Sequence, residues 1–156
     1  MTSGSPHQRK SLYEKTQGPQ AISIEALIQS GDTAARDAST GYLDFFRERL
    51  PSVEGLANAL SAQPSEAGWK SLHMAVHDLR SSSASAGYQS VSAICESLEG
   101  LLAERDPKNP LMRDVIKLHL DALSLTVSES APTPDGEQTS RLIKDLGRAV
   151  DKLPRI

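Results

Sequence analysis

Between residues 42 and 60 the apolar side chains Tyr42, Leu43, Phe46, Leu50, Val53, Leu56, Ala57 and Leu60 recur at spacings of three and four. That period lines them along one side of an α-helix, whereas a half-buried strand would alternate at every second residue. The stripe keeps its phase across Pro51, which lacks an amide hydrogen and crowds the turn before it. A kinked helix is therefore expected there, rather than two separate ones. Ser39 or Thr40, either able to accept from a free backbone N–H, is expected to cap its start.

The same signature returns downstream. Gln63-Pro64-Ser65 forms a break, and a third helix is expected over Glu66 to Ala86, ended by Gly87. A fourth is expected from Gln89 to Arg105, with Val91, Ile94, Cys95, Leu98, Leu101 and Leu102 turned inward and Asp106-Pro107 as its stop. Asn109 is expected to cap a fifth helix with Pro110 in the first turn, and Leu111, Val115, Leu118, Ala122 and Leu125 as its apolar face. Ala131 to Gln138 reads as a linker, and Leu142, Ile143, Leu146, Ala149 and Val150 mark a last helix from Ser140 to Lys152. Upstream, Ile22, Leu27 and Ile28 suggest a brief helix ended by Gly31, preceded by a mobile tail from Thr2 to Gln20.

No segment shows the alternation or β-branched enrichment of a strand. The chain is expected to be all-α, and its short connections favour antiparallel neighbours. The expected architecture is an antiparallel four-helix bundle with additional N-terminal and C-terminal helices. Residues 1–20 would be the tail, 21–130 the bundle, and 131–156 the linker with the last helix.

Bulk properties narrow the function. At 156 residues the chain can bury one core. Aromatic residues make up only 4% and the net charge is -3, which argues against a nucleic-acid binder. One cysteine, Cys95, allows no internal disulfide and fits a reducing compartment. Met1 to Lys15 lack the apolar stretch of a secretory signal, and no run approaches the ~20 apolar residues that span a bilayer. A cytoplasmic protein with no membrane partner is expected.

The third helix carries the chemistry. On a helical wheel Trp69, Leu72, Val76, Leu79, Ser83 and Ala86 fall together, and His77 lies about 130° from the centre of that stripe. Its imidazole should therefore face solvent, with Lys70, His73, Arg80, Ser81 and Ala84 around it. A neutral, exposed imidazole is a usable nucleophile and can carry a covalent intermediate. Phosphoryl transfer asks mainly for positioning and charge stabilisation. Arg80 could pair with phosphate oxygens, while Lys70 and His73 add positive field. The small Ser81 and Ala84, one and two turns on, would let a partner approach the ring.

The run His77-Asp78-Leu79-Arg80-Ser81-Ser82-Ser83-Ala84-Ser85-Ala86-Gly87 resembles the signature of histidine-containing phosphotransfer (HPt) domains. That signature has a reactive histidine, an apolar residue two on, lysine three on, glycine four on, small residues after it and glycine ten on. Ser92-Ala93-Ile94-Cys95-Glu96-Ser97-Leu98-Glu99 is similar to the family's next helix, and Tyr42 to Leu60 to its preceding one. The resemblance covers about Ala21 to Ser128. It implies a four-helix bundle core with His77 as phosphoryl acceptor and donor, and no independent kinase activity. It also implies receiver domains of response regulators and a hybrid histidine kinase as partners, and a monomeric state. The Mg²⁺ for transfer would sit in the receiver, and this chain would need no cofactor. Two positions depart from the pattern: Arg80 stands for the usual lysine and Ser81 for the usual glycine.

Other readings of the same residues are weaker. His73 and His77 are spaced as helical metal ligands can be, but Met74 follows His73 where a zinc hydrolase has glutamate, and no third ligand is apparent. No metal site is expected. Ser81-Ser82-Ser83 could be a linker, yet Val76, Leu79, Ser83 and Ala86 hold helical phase through it. Cys95 and Trp69 read as core. The alternative function is a helical docking or scaffold protein that binds receivers without accepting phosphate.

Overall fold

The computed structural model describes residues 23–128 and 136–156. The expected tail, Ile22 and most of the expected linker lie outside them. Five helices occur among the described residues: α1 (Ile24–Ala62), α2 (Glu66–Ser85), α3 (Gln89–Glu104), α4 (Met112–Ser128) and α5 (Glu137–Asp151). None of them is long and apolar enough to cross a membrane. The protein is all-helical, as its periodicity predicts. The described residues divide into two units, one ending at Asp37 and the other beginning at Ala38.

In the first unit, Ser23 starts α1 by accepting from the Ala26 N–H on its Oγ, 3.0 Å away. The helix then runs through Gly31, which has no positive φ. The expected brief helix ending at Gly31, and the cap at Ser39 or Thr40, are corrected by this continuity. An isolated glycine costs a helix only about 1 kcal/mol relative to alanine. It ends one where a left-handed residue is required, and none is required here. Pro51 likewise lies inside α1, so the helix is not split.

The second unit holds the core. Tyr42, Phe46, Leu50, Val53, Ala57 and Leu60 of α1 are buried, as their shared phase requires. They pack in one cluster with Leu72, Val76 and Leu79 of α2 and with all six expected inward residues of α3. The α1–α2 connection is tight: Ser65 caps α2 by accepting from the Gly68 N–H at 3.0 Å. A Cβ on Gly68 would lie 3.1 Å from Leu60 Cδ1, so the small residue allows the close approach of the two helices.

Gly87 ends α2 with φ at +84°, a conformation that disfavours any side chain. Its N–H donates to the Ala84 carbonyl and the Tyr88 N–H to the Ser83 carbonyl, a Schellman closure. Tyr88 is thereby turned inward, its ring centroid 4.9 Å from that of Tyr42. The Tyr42 hydroxyl donates to the Leu79 carbonyl, so two tyrosines fasten the end of α2 to α1.

Helix α4 buries Val115 and Ala122 as expected and corrects the other three residues of its expected face. Leu111, Leu118 and Leu125 are exposed, whereas Met112, Val115, Ile116, His119, Leu120, Ala122, Leu123 and Val127 are buried. The sequence offers apolar residues on two faces of this helix, and the buried one contains a histidine. Asn109 accepts from the Leu111 N–H, but α4 begins only at Met112, so Asn109 and Pro110 belong to the turn before it.

Helix α5 packs on both α3 and α4, with Leu146 fully buried. Beyond it, the buried Arg105 guanidinium donates to the Leu153 carbonyl at 2.9 Å, and the Ile156 N–H donates to the Glu104 carbonyl. The last residues are thus fastened to the end of α3.

Candidate functional site

His77 sits in the middle of α2, flanked on the inner side by buried Val76 and Leu79. The helical phase that buries those two forces the imidazole outward, and half of its side chain is exposed, at 50%. Ser81 and Ala84, one and two turns further on, are exposed, as is Lys70 two turns before. His73, one turn before, is half-buried. These residues share the outer side of α2, His73 and Ser81 at four residues from the ring and Lys70 and Ala84 at seven.

The ring is held from the next helix. His77 Nδ1 lies 2.8 Å from Glu99 Oε1, and Glu99 is only 15% exposed. The other carboxylate oxygen, Oε2, lies 2.9 Å from Arg80 Nε. This second contact is an ion pair by distance, without the alignment of a hydrogen bond, since Oε2 has no hydrogen-bond partner. One carboxylate therefore bridges the imidazole and the guanidinium.

The chemistry of the cluster follows from that bridge. A carboxylate only accepts, so Nδ1 must be the protonated nitrogen of the neutral ring. The Nε2 lone pair is then left for the exposed side, and the ring's rotation is fixed. Positive charge created on the ring would face a carboxylate across 2.8 Å. Arg80, 35% exposed, places a cation on the other oxygen of the same carboxylate.

The residues singled out from the sequence separate into two groups. Glu99 gathers His77 and Arg80 around itself. Lys70, His73, Ser81 and Ala84 lie on the outer side of the same helix and take no part in the Glu99 bridge. The neighbouring serines are occupied: Ser82 donates to the Asp78 carbonyl, Ser83 to that of Arg80 and Ser85 to that of Ser81. They close polar groups within α2 rather than forming a reactive set. Among the described residues, no group of His, Cys, Asp or Glu could hold a metal ion.

Glu99 itself was not legible as a site residue. It lies at the edge of the buried α3 stripe, four residues after Cys95, as a carboxylate bordering an otherwise apolar face at the end of the run that resembles the family's next helix. Cys95 is fully buried, and burial, helped by the nearby Glu99, pushes its thiol up to about 12. It is protonated and inert at neutral pH. The second unforeseen polar residue, His119, is also fully buried. Its two nitrogens meet the Val115 carbonyl at 2.7 Å and Ser97 Oγ at 2.9 Å.

No curated protein and no solved structure matched the chain. The family model described as the Hpt domain matches residues 41–129, which spans α1 from just before Tyr42 to the end of α4 and includes both His77 and Glu99. That match covers more than half of the sequence, and the chain belongs to the Hpt domain family.

Proposed function

We propose that this protein relays a phosphoryl group between aspartates of receiver domains, carrying it on Nε2 of His77. The observation that supports this reading most is the bond from His77 Nδ1 to Glu99, which leaves Nε2 as the exposed nucleophile. In the forward step Nε2 attacks the phosphorus of a receiver acyl phosphate in line. An N–P bond forms, the P–O bond to the aspartate breaks, and the receiver carboxylate leaves with the bonding electrons. Nδ1 keeps its proton throughout, so the phosphorylated ring is cationic and Glu99 stabilises it. The reverse step passes the group to a second receiver.

Arg80 would leave its poorly aligned contact with Glu99 for the phosphoryl oxygens, which accept charge-assisted hydrogen bonds. Ser81 and Ala84 provide the low surface on which the partner closes, with Lys70 and His73 on the other side of the ring. Magnesium for the transfer belongs to the receiver. A hybrid histidine kinase would supply the phosphoryl group, and the carrier would act as a cytoplasmic monomer.

The test is transfer from a phosphorylated receiver to the wild type and to His77→Gln. Acid-labile, alkali-stable label on the wild type alone is the expected result. Equal label on His77→Gln sinks the assignment. Binding to a receiver with no label on either protein favours a docking protein that accepts no phosphate.

A further inference from the structure

A second concave feature lies where the α1–α2 turn faces the loop between α3 and α4. It is a groove of about 620 Å³ whose apolar walls include Leu60, Pro64, Trp69, Pro107, Pro110 and Met112. Its volume is in the range of small-molecule sites. Of its lining residues, Ser65 is held by its cap bond to the Gly68 N–H.

The polar groups around this groove are few. Three prolines contribute no amide donor. Asn109 already accepts from the Leu111 N–H. The charged residues at the rim are Lys108, Arg113 and Glu66, all exposed. Among the described residues neither Lys108 nor Arg113 is in an ion pair. Two unpaired cations thus stand against one carboxylate, above a wall of tryptophan and proline.

We propose that the groove binds a small amphipathic anion, an aromatic or medium-chain aliphatic carboxylate or sulfonate. The apolar body lies on Trp69 and the prolines, and the acidic head sits between Lys108 and Arg113. Trp69 precedes His77 by eight residues on α2, roughly 12 Å along the axis at about 1.5 Å per residue. Occupancy therefore leaves the imidazole open, and the site does not depend on the proposed phosphotransfer.

Trp69 is the sole tryptophan, so its emission reports this groove directly. The full chain is titrated with anilinonaphthalene sulfonate, following energy transfer from Trp69, with octanoate and uncharged octanamide as competitors. Saturable binding is expected, with octanoate the better competitor by about tenfold and the double variant Lys108→Gln/Arg113→Gln weakened by about tenfold or more. Trp69→Phe should lose the energy transfer while still binding dye, and His77→Gln should bind as the wild type does. The proposal is overturned by no saturable binding up to about 1 mM. It is equally overturned if the rim variant binds as tightly as the wild type, if octanamide competes as well as octanoate, or if dye binding accompanies self-association or loss of native circular dichroism.

Discussion

His77 and Glu99 meet across the α2–α3 interface, Nδ1 to Oε1 at 2.8 Å, although they stand 22 residues apart in the chain. The carboxylate is mostly shielded and the imidazole half exposed, so the helix interface dictates which ring nitrogen faces outward. Glu99→Gln should keep a partner for Nδ1 but remove the countercharge, and Glu99→Ala should remove both. Transfer to His77 is expected to slow by about tenfold in the first and about a hundredfold in the second, as for loss of an orienting partner to a functional imidazole. Rapid-quench transfer kinetics from one phosphorylated receiver, with circular dichroism as the folding control, measure this. Unchanged rates in both variants would remove Glu99 from the site.

Arg80 shares that carboxylate, but through a contact that lacks hydrogen-bond alignment. Arg80→Gln removes the cation from the shielded Oε2 of Glu99 and should destabilise the protein by about 1–3 kcal/mol. It should lower the transfer rate by about tenfold, through the lost charge-assisted contact to phosphate. Denaturant midpoints and transfer rates on the same preparations separate the two effects.

Burial lowers the His119 pKa below its ordinary 6.5, and the bond to the Val115 carbonyl only partly opposes this. The unfolded chain consequently binds a proton at a higher pH than the folded one. The contribution of neutral His119 is complete above about pH 6.5 and declines as pH falls from there toward the folded-state value. The slope attributable to this residue is at most about 1.4 kcal/mol per pH unit. Urea unfolding between pH 7.5 and 5, comparing wild type with His119→Met, should show a shallower acid slope in the variant, whatever its absolute stability.

Cys95, held protonated in the core, should not react with a thiol reagent at pH 8 in the native protein. It should react fully after denaturation. A rapid native reaction would mean that α3 opens readily from the bundle.

Gly87 holds the left-handed conformation that turns Tyr88 onto Tyr42. Gly87→Ala should destabilise the protein by about 1–2 kcal/mol, the cost of placing a Cβ in that region. Beyond its two chain neighbours no atom lies within 4 Å of the new Cβ, so the loss measured by thermal unfolding reports backbone strain net of the lower unfolded-chain entropy of alanine.

Much of the architecture was readable because local chemistry and burial agree. In α2 and α3 a single apolar stripe bounded by Ser65, Gly87 and Arg105 left one way to bury the helix, and that phase put His77 outside. In α4 two stripes competed, and the heptad-spaced leucines at 111, 118 and 125 were the more regular. The buried side keeps Val115 and Ala122 but replaces the leucines with Met112, Ile116, Leu120, Leu123 and Val127, and Ser97 and the Val115 carbonyl satisfy His119 inside. Gly31, Ser39 and Thr40 looked like boundaries because they favour helix ends, but a propensity of about 1 kcal/mol cannot stop a helix whose neighbours on both sides favour it.

The helical class, the inward face of α2 and the exposure of His77 follow from a repeat of three and four along one segment, and need nothing beyond the order of residues. Helix packing settles which face of α4 is buried, which carboxylate holds the imidazole, and that the same carboxylate reaches Arg80. Those outcomes depend on side chains that helix packing brings within hydrogen-bond distance, and a period read along one helix carries no information about its neighbour's register.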